Sequence, residues 1–318
     1  MKKITVLGIL LLSLSASLDA QKIEKFLDYK GKPCAADTAR FYAIIQFSDS
    51  GWVRHEYYIV EKKLQMRGLY KDSNCTIKSG HFYYLHPNGI VASAGKFENN
   101  KKQGQWVGFH PNKFMKDSSV YEDDQEKGVS LHWHNNGYLS DSTVYKPDGT
   151  KVSVTWFEDG GLSTAGRSNI LNLPHGKWQF YHQNAKISAS EVYENGKLVD
   201  KKYFSEDGTP MADTTDKTRP AQFPGGIPAW TRYLEKKLFF PSNYQITKGE
   251  MASVGVDFVV DENGIVKDVN INTPFHPAFN DIVLRTIKAS PKWVPAISHN
   301  RRINYHHTQF VRFTQKIY

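Results

Sequence analysis

The sequence predicts a mainly β protein: a ladder of stacked β-hairpins with a period of 24 residues, followed by a small α+β domain of two helices on a three-stranded antiparallel sheet. Three observations carry that prediction. Glycine, histidine, asparagine and tyrosine recur at a fixed step between residues 80 and 196. A run of two-residue alternation, broken by a turn, occupies residues 253–271. Apolar residues at helical spacing flank that run on both sides.

The chain starts with Lys2-Lys3, an apolar stretch from Ile4 to Leu14 and the small-residue exit Ser15-Ala16-Ser17-Leu18-Asp19-Ala20. A charged start, an apolar middle and such an exit make a secretory signal peptide over 1–20, with cleavage expected after Ala20. Its middle is shorter than the roughly 20 residues that cross a bilayer. The signal implies export; the address implied by the resemblance given below is the periplasm, with inner-membrane tethering if the signal is retained. Export puts Cys34 and Cys75, the two cysteines of the chain, in an oxidising compartment where they can form one disulfide. Two independent buried thiols are the alternative, because spacing alone does not bring two Cα atoms within bonding range.

Residues 21–56 read as an N-terminal cap. Phe41-Tyr42-Ala43-Ile44-Ile45-Gln46-Phe47 has the composition of a strand and Ser48-Asp49-Ser50-Gly51 that of a turn. The repeats occupy 57–213. Gly80, Gly104, Gly128 and Gly176 keep the step of 24 or its double, with Val152 in the missing place. His86, His110, His134 and His182 follow in phase, with Glu158 as the exception, and so do Asn88, Asn112, Asn136 and Asn184. Phe97, Tyr121, Tyr145 and Tyr193 form a further set, and Asn100, Asp124, Asp148 and Gly196 mark a second turn in each period. Two turns per period with aromatic-rich segments between them describe a hairpin. One hairpin cannot bury its own aromatic face, so neighbours must stack. Residues 57–70 read as a divergent first unit and 203–208 as a truncated last one.

The histidines are expected to fill space beside turns. Equivalent residues of successive hairpins lie about 9.5 Å apart, too far to share an ion that needs ring nitrogens at about 2.1 Å. No metal is expected.

Thr214-Thr215-Asp216-Lys217-Thr218-Arg219 has no apolar periodicity and reads as a linker over 214–219. In the domain that follows, 220–318, Pro228 suits a first helical position, and Trp230, Tyr233, Leu234 and Leu238 share a stripe before Pro241. Val254, Val256, Phe258 and Val260 alternate toward an Asn263-Gly264 turn, and Ile265, Val269 and Ile271 return from it, broken by Lys267. A second helix follows Pro277, with Phe279, Ile282, Val283, Thr286 and Ile287 on one face. A final strand is expected over 304–313.

The charge of +9 is spread along the chain and favours acidic surfaces, but no nucleic-acid signature accompanies it. Phe223-Pro224-Gly225-Gly226 lacks the Gly-Lys-Ser/Thr sequel of a phosphate loop. No nucleophile elbow, His-Glu-x-x-His pair or cysteine with an evident histidine partner occurs. Asp123-Asp124 falls at a repeat turn as solvated carboxylates. The expectation is therefore a non-enzyme without a cofactor.

The aromatic-His-x-Asn pattern and the Tyr193-Glu194-Asn195-Gly196 turn resemble the MORN-like repeats of bacterial envelope proteins, which act as scaffolds or interaction surfaces. Phe223-Pro224-Gly225-Gly226, Ala229-Trp230, Tyr233-Leu234, Val256-Asp257-Phe258-Val259, Asn263-Gly264, Leu284-Arg285 and Ser290-Pro291-Lys292-Trp293-Val294-Pro295-Ala296 resemble the C-terminal domain of TonB. That resemblance implies strand addition: residues 304–313 form an edge whose Asn304, His306, Thr308, Phe310 and Arg312 meet a TonB-dependent outer-membrane receptor or another envelope protein. His306, His307, Thr308, Gln309 and Arg312 would protect the edge from self-aggregation. Energy transduction for transport is a narrower implication. It needs an inner-membrane anchor, with the repeats as a spacer of about 50 to 70 Å. A homodimer through the same edge is a further expectation, and membrane association is expected only through partners or an uncleaved signal. The alternative is that the repeats bind envelope glycan or lipid while the C-terminal domain serves as a docking cap.

Overall fold

The computed structural model describes residues 22–245 and 252–314; the expected signal at 1–20 lies outside them. The first strands of the ladder are β1 (Lys22–Leu27), β2 (Phe41–Ser48), β3 (Gly51–Tyr58), β4 (Lys63–Tyr70) and β5 (Lys78–Leu85). β6 (Val91–Glu98), β7 (Lys101–Phe109), β8 (Met115–Glu122), β9 (Gln125–Trp133) and β10 (Leu139–Tyr145) continue it. β11 (Lys151–Trp156), β12 (Leu162–Ser168), β13 (Gly176–Tyr181), β14 (Ile187–Glu194) and β15 (Lys197–Tyr203) complete it. Among the described residues these make one 15-stranded antiparallel meander in strict chain order. The ladder followed by a small α+β domain is thus the architecture of the chain, and the N-terminal segment supplies its first strands.

The turns alternate between two rims. On the histidine rim, each ring reaches the backbone of the next hairpin: Nε2 lies 2.9 Å from Phe109 O for His86, 2.8 Å from Trp133 O for His110, 2.9 Å from Trp156 O for His134 and 3.0 Å from Phe204 O for His182. Two residues on, Asn88, Asn112, Asn136 and Asn184 donate from Nδ2 to Pro111 O, Asn135 O, Glu158 O and Glu206 O at 2.6–2.8 Å. Their Oδ1 atoms meanwhile accept from the backbone of their own turns. The histidines are hydrogen-bonded stitches, a stronger role than the filler that spacing suggests.

The opposite, glycine rim is sewn in the reverse direction. Asn100 Oδ1 accepts from Lys78 N at 2.8 Å and Asp124 Oδ1 from Lys102 N at 2.7 Å. Gly80, Gly104, Gly128 and Gly176 have positive φ, between 66° and 125°, which explains their recurrence. Val152 escapes that demand because Gly149, at φ 81°, closes the preceding turn.

The break at Glu158 is a slip of one residue. The turn hydrogen bonds run from Phe157 N to Gly161 O and from Gly160 N to Phe157 O, as they do around His134 and His182. Phe157, not Glu158, therefore stands in the histidine place.

On the inner face, aromatic rings lie flat over strand glycines of the neighbouring strand. A Cβ on Gly68 would fall 2.1 Å from the Phe82 ring, one on Gly95 2.1 Å from Trp106 and one on Gly166 2.0 Å from Trp178. Trp106 and Trp178 also donate Nε1 to Lys96 O and Arg167 O, at 3.1 and 2.8 Å. Met66, Tyr70, Phe82, Phe97 and Trp106 form one buried cluster, and Phe180, Ala189 and Tyr203 another.

Cys34 and Cys75 are both free thiols. They lie on opposite rims, Cys34 between β1 and β2 and Cys75 between β4 and β5, so the expected disulfide is not formed, and the two separate thiols are half-buried rather than buried. Burial pushes the Cys75 thiol up.

The C-terminal domain contains α1 (Gly226–Lys237), β16 (Ser253–Val260), β17 (Val266–Thr273), α2 (Pro277–Lys288), the short strands β18 (Ala296–Ser298) and β19 (Arg301–Ile303), and β20 (Tyr305–Arg312). Among the described residues its main sheet has the order β17-β16-β20. Val254, Val256, Phe258 and Val260 face a core completed by Phe275, Phe279, Ile282, Val283, Ile287 and Trp293. The five apolar-face residues expected on the second helix are all buried. α1 begins before Pro228, with Gly225 at φ 82° ahead of it. The return strand differs in phase: a bulge at Asp268, φ 53°, brings Val266 onto the core with Val269 and Ile271 and leaves Ile265 exposed. Arg219, placed in the linker by sequence, already pairs with Ile297 through bonds of 2.9 and 3.0 Å.

The stitches make a stability prediction. Burial lowers the pKa of His110. The unfolded chain therefore takes up this proton first, near pH 6.5, and stability falls as pH drops from there through the folded value. His110→Gln, with no titrating group, should flatten that part of a denaturation-versus-pH curve. His110→Ala should cost about 1 kcal/mol at pH 7 through the lost bond to Trp133 O.

Candidate partner-binding edge and its support

Alternation along β20 splits its side chains cleanly. His306, Thr308, Phe310 and Arg312 are exposed on one face, whereas Val311 is buried on the other. His307 stacks on Phe258 with ring centroids 4.9 Å apart, and burial lowers its pKa. Gln309 accepts from Trp230 Nε1 at 3.0 Å. His307 and Gln309 are therefore internal packing residues and not the edge decoration that sequence suggests. Thr308 Oγ1 donates to Asp257 Oδ1 at 2.6 Å, which fixes it beside the central strand. The Phe310 ring lies 5.7 Å from that of Tyr29, in the β1–β2 connection.

Asn304 is the predicted partner residue that the fold uses differently. It precedes β20, and its Nδ2 donates to Glu158 Oε1 at 2.8 Å, tying the domain to the ladder. Glu158 Oε2 also meets Lys267 Nζ at 2.6 Å. Asn135 Nδ2 donates to Asp268 Oδ1 at 2.5 Å and Gln183 Nε2 to Glu262 Oε1 at 2.7 Å. Asn135, Glu158 and Gln183 occupy one position of three successive histidine-rim turns, where earlier units carry Pro87 and Pro111. That row of polar residues cradles the β16–β17 hairpin.

A second contact comes from the β18–β19 hairpin, whose tip His299-Asn300 has φ values of 50° and 60°. The His299 ring stacks on Phe180 at a centroid distance of 3.6 Å and an angle of 7°. Its Nδ1 lies 3.0 Å from Glu191 Oε2. Burial pushes the Glu191 carboxyl up, but hydrogen bonds from His299 and Tyr193 outweigh it and hold the pKa below the ordinary range. This contribution is present above the unfolded value of about 4.3 and is lost as pH falls through the folded one. Asn300 Nδ2 donates to Phe204 O at 2.9 Å. Arg301 donates from Nη1 to Tyr181 O at 2.6 Å and to Ser163 O, and from Nη2 to Thr164 Oγ1 at 2.8 Å. Burial lowers its pKa to about 10, so it stays charged at neutral pH.

Sequence reasoning missed this clip. Its signal is the His-Asn dipeptide between Ala296-Ile297-Ser298 and Arg301-Arg302-Ile303, two residues tolerant of positive φ between short strand-like runs. Arg40, whose guanidinium lies 3.7 Å from the Phe275 ring centroid, adds a contact from the ladder's first connection. The C-terminal domain thus packs along the ladder and is not displayed from its far end as a spacer would require.

Comparison with protein-family models and with curated proteins gives no match.

Proposed function

We propose that the C-terminal domain is a protein-binding module of the bacterial periplasm. It accepts a strand from an outer-membrane receptor or another envelope protein at β20, in the manner of the TonB C-terminal domain it resembles. The supporting observation is the edge itself. Among the described residues β20 pairs with β16 alone, and His306, Thr308, Phe310 and Arg312 stand exposed along it. An open edge carries unpaired N–H and C=O groups that another strand can satisfy. The MORN-like repeats serve as its scaffold. Energy transduction is the narrower form of the proposal and requires an anchor at the inner membrane.

A photocrosslinker at Thr308 in cells tests the idea. The expected product joins this chain to a segment of an outer-membrane receptor or envelope complex, and Phe310→Pro, which removes an edge N–H, abolishes it. No envelope adduct from Thr308 would overturn the proposal. Mass spectrometry of the mature N-terminus separates a tethered transducer from a released adaptor.

A further inference from the structure

Independently of strand addition, we propose that the glycine rim of the ladder docks on an anionic phospholipid bilayer through the β12–β13 turn. Three other turns of this rim are polar at their tips: Glu98-Asn99-Asn100-Lys101, Glu122-Asp123-Asp124-Gln125 and Glu194-Asn195-Gly196-Lys197. The equivalent residues between β12 and β13 are Ile170-Leu171-Asn172-Leu173. Ile170 is 66% and Leu171 70% exposed, so neither contributes much to the core.

The turn does not need those side chains. Asn169 builds it, accepting on Oδ1 from Leu171 N at 3.0 Å and from Leu173 N at 3.1 Å, while Asn172 supplies the positive φ of 62°. The neighbouring β10–β11 turn has the same backbone bonds with Lys146-Pro147-Asp148-Gly149 at its tip. Ile170 touches the neighbouring turn beside Gly149, and the bonds that shape the tip come from Asn169 and the backbone rather than from the Ile170 and Leu171 side chains.

The surroundings continue the pattern. Val129, Val144 and Val152 are cross-strand partners in one row ending at Arg167, and Val129 and Val144 are exposed. Lys146, Arg167 and Lys177 line the groove beside the tip and are exposed. Among the described residues none of the three is within ion-pair distance of a carboxylate. The flanking turns contribute Asp148, whose carboxylate is engaged by Thr150, and Glu194.

Projecting aliphatic residues ringed by cations suit a bilayer interface. The side chains enter the acyl boundary while lysine and arginine remain among the anionic headgroups. A protein partner would more usually be met by aromatic and arginine anchors set in pockets.

The test is co-sedimentation of the exported chain with vesicles of phosphatidylethanolamine and phosphatidylglycerol, set against phosphatidylcholine alone. Binding is expected only to the anionic vesicles and should weaken as salt is raised. Ile170→Asp with Leu171→Asp should lower the partition coefficient about tenfold or more, and Arg167→Glu with Lys177→Glu should do likewise. Leu171→Trp should shift its emission to the blue on binding. Phe310→Pro should leave vesicle binding unchanged, so that failure of strand addition and failure of membrane docking are told apart. No binding to anionic vesicles, or binding indifferent to the Ile170 and Leu171 changes, would overturn the proposal.

Discussion

Gly166→Ala should be among the most destabilising single substitutions in the ladder, costing about 2–4 kcal/mol by chemical denaturation. The added carbon would sit 2.0 Å from the Trp178 ring, which is already held by its bond to Arg167 O. Relief requires the indole to swing away, losing both the stack and that hydrogen bond. Gly104→Ala provides the contrast. Its Cβ meets nothing within 4 Å, so only the left-handed backbone, φ 66°, opposes it, at about 1–2 kcal/mol. If ring contact is the cause at Gly166, adding Trp178→Ala should cost less than the sum of the single changes, because the clash vanishes with the ring. Additive costs would show that the glycine is there for its backbone.

Arg301→Met should loosen the two domains with a comparable loss, about 2–4 kcal/mol, since Ser163 O, Tyr181 O and Thr164 Oγ1 all lose a charged donor. The conservative Arg301→Lys should recover only part, because an ammonium cannot reproduce the planar fork that meets three acceptors. The expected signature is a change in cooperativity: denaturation splits into separate ladder and C-terminal transitions, and cleavage at 212–218 accelerates. A single transition at the wild-type midpoint would mean that the row of Asn135, Glu158 and Gln183 holds the domains without the hairpin.

Much of this architecture is legible along the chain because it is local. Positive φ at Gly80, Gly104 and Gly128 and an Asn or Asp capping its own turn leave marks at fixed spacing. The buried stripe of α2 reads directly as Phe279, Ile282, Val283, Thr286 and Ile287. What stays hidden depends on neighbours in space. The spacing of His86 and His110 does not reveal that each ring reaches a carbonyl on the following hairpin. The slip that puts Phe157 in a histidine place is masked by Glu158 falling on the formal period. On β20 the even-numbered residues were readable as one row, but Asn304 lies before the strand and serves the ladder. His307 and Gln309 look like surface residues by type, yet the buried Phe258 and the half-buried Trp230 give them packing partners.

The stitches along the histidine rim have a consequence for how such a chain can change. Each His and Asn brings its own donor, and what it grips is a main-chain carbonyl, which every residue possesses. A hairpin therefore places no demand on the identity of the side chain at its neighbour's point of attachment. Units can be duplicated or deleted while the seam between them survives, whereas at the slip around Phe157 the outgoing stitch is lost, Phe157 and Asp159 having no such donor, and Arg301 grips Tyr181 O instead. The polar row at Asn135, Glu158 and Gln183 and the apolar tip at Ile170 and Leu171 are two places where that freedom gives individual rungs specialised surfaces.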